Sequence, residues 1–132
     1  MMLQINRENL EEQVCNALPE LEPNYQKAVR TTGDGKKLGN YLVFGLVLKP
    51  LLKEQLAKGH RTEFLQRVAD FLEAVCISGD PEAINVVWLE VFQWVLPDVE
   101  QLTCLWMVLG DTTKKQIRDA ALRWGFTKNL PN

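Results

Sequence analysis

The chain is poor in the side chains from which hydrolytic and metal chemistry is usually assembled: it has one histidine, one serine and three widely spaced cysteines in 132 residues. The single serine, Ser78, falls where a helix closes and no nucleophile-elbow pattern surrounds it, so a serine-histidine-carboxylate triad is not expected. His60 sits in the basic turn Lys58-Gly59-His60-Arg61-Thr62, where an exposed imidazole suffices as its explanation. Cys15, Cys76 and Cys104 lack C-x-x-C spacing and fall on different predicted helices, so neither a metal nor a cofactor is expected. Their odd count suits a reducing cytoplasm, because an oxidising compartment would leave one thiol unpaired.

Long apolar runs are also missing. Residues 41–48 are too few to span a bilayer and 83–96 contain Asn85, Glu90 and Gln93, so no membrane segment is expected. The first dozen residues turn acidic without an apolar core of signal-peptide length, which reads as no export. Net charge is small, −2, so nothing global attracts nucleic acid or anionic lipid. With 46% hydrophobic residues the chain is rich enough for one globular domain over 1–132.

What the chain does have is helical periodicity, without the strict alternation of a half-buried strand. Phe64, Leu65, Val68, Phe71, Leu72, Val75 and Cys76 form one stripe, opposed by Glu63, Gln66, Arg67, Asp70 and Glu73. Three punctuations recur, Thr32-Gly33-Asp34, Ser78-Gly79-Asp80 and Leu109-Gly110-Asp111, each offering a glycine for the left-handed close of one helix and an aspartate to open the next. With breaks at Pro19, Pro23, Gly39, Gly59 and Pro97-Asp98, helices are predicted near 6–18, 23–31, 40–58, 62–77, 81–96, 98–109 and 112–125. Pro50 should kink or split the third. The expected fold is all-α, about six to seven helices in a compact bundle or a short HEAT-like stack of antiparallel hairpins. The fifth helix is apolar nearly all round through Ile84, Val87, Trp88, Val91, Trp94 and Val95, with Val86 and Leu89 on its polar side, and is placed at the centre.

Charge is segregated along the chain. Residues 1–22 carry −4, 23–61 carry +6, 62–111 carry −8 and 112–132 carry +4. The glycine-rich stretch 32–39 lacks the spacing and the preceding strand of a phosphate loop and reads as a flexible connection. Carboxylates are plentiful, but no pair is marked by sequence as a general acid and base, and no enzymatic activity is expected. Trp88 and Trp106 lie on packing stripes, whereas Trp94 sits at the edge of its apolar arc beside Pro97-Asp98 and Glu100. Stacking would bring acidic residues of neighbouring helices together, either neutralised by the basic segments through surface ion pairs or left as a candidate partner-binding surface of Asp80, Glu82, Glu90, Trp94, Asp98 and Glu100.

Three stretches carry a resemblance: Leu18-Pro19-Glu20-Leu21; Val43-Phe44-Gly45-Leu46-Val47-Leu48-Lys49-Pro50; and Phe71-Leu72-Glu73 followed by Ser78-Gly79-Asp80 and Asn85-Val86-Val87. They resemble a family of small, largely uncharacterised bacterial helical proteins in which toxin-immunity proteins are suspected. The resemblance implies a protein-binding immunity protein that would neutralise a cognate toxin by covering its active site, and the acidic block suits a basic toxin domain as that partner. A regulatory or scaffold adaptor is the alternative. No catalytic residue carries over, and a homodimer through an uncapped end of the stack is compatible with the pattern.

Overall fold

The computed structural model of the chain describes residues 4–32 and 37–131, which form seven helices and, among the described residues, no strand. They are α1 (Leu10–Ala17), α2 (Glu22–Thr32, entered through a short 3-10 turn), α3 (residues 40–56), α4 (Glu63–Ser78), α5 (residues 81–95), α6 (Val99–Trp106) and α7 (Asp111–Trp124). The all-α expectation is met, and each element overlaps its predicted range. At the N-terminus, Asn6 and Asn9 hydrogen-bond one another's backbone in a local turn, which delays α1 to Leu10.

Helix starts follow their capping chemistry. Thr62, Asp80 and Asp98 each accept a hydrogen bond from an amide of the first turn they precede, at α4, α5 and α6. Gly79 closes α4 at φ 75°, as expected of a left-handed cap. Gly110 differs: its φ of −78° lies outside the left-handed region. A Cβ there would stand 2.5 Å from Cδ of Glu73, so this glycine makes room for a carboxylate. Residues 33–36, which hold the Gly33-Asp34 pair of the first punctuation, lie outside the described residues.

The core is one continuous apolar cluster running from Ile5 to Ala121. Every member of the α4 stripe is buried, and all but Cys76 belong to this cluster. Helix α5 touches α3, α4, α6 and α7, which confirms its central place. Its packing face nevertheless departs from the expected stripe. Ala83, Val86, Val87, Val91, Phe92, Val95 and Leu96 are buried, while Ile84, Trp88 and Trp94 are half-buried at the flanks. The reason is a π turn over Trp88–Phe92, which inserts one residue per turn and carries the inward row from Ala83 and Val87 to Phe92 and Leu96.

A second π turn, Val43–Leu48, lies in α3 against the first. It also accounts for Pro50. Proline removes one helical N–H and crowds the carbonyl four residues upstream, and the widened turn just before it lets the backbone stay helical from 40 to 56 without a break. Tyr41 meets Glu82, Gly45 meets Glu90, and Lys49 and Lys53 meet Trp94, so α3 and α5 run parallel. Helix α2 covers α3, α1 lies on α4, and α7 packs along α4 and the middle of α5.

Candidate functional site

The six residues singled out from sequence do not share one open surface. Asp80 is engaged twice within the fold: it caps α5 and pairs with Arg7 at 2.8 Å. The Arg7 guanidinium and amide hold its carboxyl down at about 2. Glu82 accepts the Tyr41 hydroxyl at 2.8 Å, and the same hydroxyl accepts from the Asn85 amide. Glu90 lies against the bare backbone of Gly45. Trp94 is half-buried rather than open, its indole N–H donating to the Glu90 carbonyl and its ring flanked by the Lys53 and Lys49 ammonium groups at 5.2 and 5.9 Å. Glu82, Glu90 and Trp94 thus line the α3–α5 seam, whereas Asp98 and Glu100 are exposed at the start of α6.

A concavity of about 870 Å³ lies elsewhere, between α1 and α4. Its apolar lining is Ile5, Ala17, Phe71, Ala74 and Ile77. Ile77 is 66% exposed on the lip, an aliphatic side chain the fold leaves in water. Gln4, Gln13, Asn16, Asp70 and Ser78 supply polar groups around it. Alanines at 17 and 74 keep the two helices from filling the space between them, while Gln13 and Asn16 provide amides that both donate and accept.

One end of the groove is closed by a strap, residues 4–9. Gln4 donates to the Ser78 carbonyl at 3.2 Å, the Arg7 amide donates to Asp80 at 2.8 Å, and the Arg7 side chain adds the ion pair. Along the opposite wall, Glu73 turns away to cap α7 across the interface. It accepts from the amides of Thr112 and Thr113 at 3.1 and 2.8 Å and from the Thr113 hydroxyl at 2.7 Å. Burial pushes the Glu73 carboxyl up, but these donors outweigh it and hold the group below its ordinary value. Glu11, on the far side of α1, is buried and accepts from Tyr25 and from the amides of Leu38 and Gly39, tying the end of the glycine-rich stretch to α1.

Sequence reasoning missed this groove because no single stripe defines it. Ala74, Ile77 and Ser78 follow one another at helical spacing just off the main α4 stripe, and that row is the signal that was available. The tryptophan environments were equally hidden: Lys114 and Arg118 of α7 lie over Trp106, and Arg123 lies over Trp88, which also meets Trp124 edge-on at 5.5 Å.

His60 is exposed, and the Ser78 hydroxyl donates to the Val75 carbonyl. Burial raises all three thiols, those of Cys15 and Cys76 to about 11. Among the described residues no three histidine, cysteine or carboxylate side chains converge as metal ligands, and no helix is long and apolar enough to cross a membrane.

Residues 11–125 match the family described as Domain of unknown function (DUF7674), and the chain belongs to that family. The match leaves the strap residues Gln4, Ile5 and Arg7 outside it. No curated protein and no solved structure matches the chain.

Proposed function

We propose that this member of the DUF7674 family is a non-catalytic protein-binding module of the bacterial cytoplasm, an immunity protein that neutralises a cognate toxin by occluding its active site. The observation that carries the reading is the open groove between α1 and α4, apolar inside and polar at its rim, with Ile77 presented on the lip. A rigid groove walled by two helices is suited to receiving a segment of another protein. The three free, well-separated cysteines fit a reducing compartment. Asp98 and Glu100, exposed at the start of α6, form the second surface to be compared.

Capture of the tagged chain from its source cells, followed by growth assays, tests the proposal. The expected result is one stoichiometric partner that stops growth when produced alone and is tolerated when this chain is co-produced. Ile77→Asp should abolish that rescue, while Asp98→Asn with Glu100→Gln should leave it intact. A partner without toxicity would turn the reading to an adaptor, and recovery of only the chain itself would turn it to a self-assembling module.

A further inference from the structure

Resting on the protein-binding reading, we propose that the α1–α4 groove takes a cationic amphipathic helix of the partner, with two or three apolar side chains in the groove and lysine or arginine along its flanks. The charge of the walls carries the argument. Residues 4–22 and 63–80, which contain the strap and both walls, hold two arginines and nine carboxylates, of which Glu11 is buried on the far side of α1. Both arginines are already engaged within these segments, Arg7 with Asp80 and Arg67 with Glu20 and Glu63. Glu8, Glu12 and Asp70 remain exposed, and Asp70 itself lines the groove. A cation arriving at this face meets an excess of negative charge from both sides, and an anionic segment is repelled by it.

Geometry selects a helix. The groove extends along α4 from Asp70 to Ser78, about 12 Å at the helical rise, which matches apolar side chains at i, i+3 or i+4, and i+7 of an incoming helix. Both walls are helices whose backbone groups pair within themselves, so an extended strand would find no edge to join and would leave its own amides to the few rim side chains. A helix brings its backbone already paired. Glu73 lines the same wall but is committed to Thr112 and Thr113, which leaves Asp70 as the groove carboxylate that reads the partner's charge.

The probe is a fluorescein-labelled peptide of about fourteen residues with leucines at helical spacing and lysine and arginine flanks, compared with versions whose flanks are glutamate or glutamine. Anisotropy titration of the full chain should show binding of the cationic peptide, at least about tenfold weaker binding of the glutamate version, and weakening as salt rises from about 50 to about 500 mM. Asp70→Lys should cost about tenfold at low salt and almost nothing at high salt. Ile77→Asp, at a side chain already exposed, should remove binding at every salt concentration without changing the circular-dichroism melt. Equal binding of the three peptides, no binding of any, indifference to both substitutions, or groove-dependent self-association in sedimentation would each overturn the proposal. The two levels separate. Cellular rescue that needs Ile77, with no preference for the cationic peptide, overturns the occupant alone; groove-dependent binding of the cationic peptide in a chain that rescues nothing supports the occupant and retires the toxin reading.

Discussion

Removing the Glu73 carboxylate should unseat the N-terminus of α7, and the size of the effect follows from what Glu73 satisfies. It accepts three hydrogen bonds, two from amides of the first turn of α7 and one from the Thr113 hydroxyl, and Thr113 is fully buried. In Glu73→Ala the Thr112 amide and both Thr113 donors lose their acceptor together, so the loss exceeds that of a single exposed cap, and about 3 kcal/mol is expected. Glu73→Gln keeps one acceptor oxygen and should lose about 1–2 kcal/mol. Gly110→Ala attacks the same contact from the other side, because its Cβ would lie 2.5 to 2.9 Å from Cδ, Oε1 and Cγ of Glu73. Its backbone, at φ −78° and ψ 171°, is one alanine adopts without strain. Alone it should cost about 2 kcal/mol by pushing the carboxylate aside. In the Glu73→Ala background the clash is gone, and the same change should be neutral or stabilise by about 0.5 kcal/mol through the unfolded chain. Urea denaturation of the four proteins of this cycle, followed by circular dichroism, measures the coupling. Losses that simply add would refute the account of Gly110 as space for Glu73.

Three other outcomes follow from the structure. Asp80 is held at about 2 against an ordinary 3.8, so its contribution is complete above about pH 4 and fades as pH falls through 2; in Arg7→Ala that acid-side decline should shrink, as thermal melts between pH 5 and 2 would show. The thiols of Cys15 and Cys76, raised to about 11 by burial, should resist alkylation at pH 8 in the native protein and react once urea unfolds it, with mass spectrometry counting the adducts. Gly45→Ala should be nearly neutral, because helix propensity gained is offset by displacing the Glu90 carboxylate 2.9 Å away; combined with Glu90→Ala it should stabilise by about 0.5–1 kcal/mol in the same urea assay.

The α4 stripe and the cap at Asp80 were legible in the sequence because they depend on neighbours only a few residues away. The burial pattern of α5 was not, since a π turn shifts the period in the middle of the helix and sequence periodicity assumes it constant. Gly110 was misread for a related reason: a glycine before an aspartate looks like a helix boundary, and the carboxylate that requires it comes from a residue 37 positions earlier. The acidic segments were recognised, but their division into committed and free carboxylates was set by tertiary partners such as Arg7 and Tyr41. The groove itself exists only once α1 and α4 are side by side.

The paired π turns also govern which changes in chain length the domain can absorb. Deleting one residue from Val43–Leu48 would restore an ordinary helix there and rotate everything after it by about 100° relative to what precedes. Leu52 and Leu56 would swing out of the core, and Lys49 and Lys53 would leave Trp94. A compensating deletion within Trp88–Phe92 would not repair this, since it rotates Trp94, Val95 and Leu96 about a different axis. Each helix is therefore locked to its present length by its neighbour, and insertions or deletions are confined to the connections between helices.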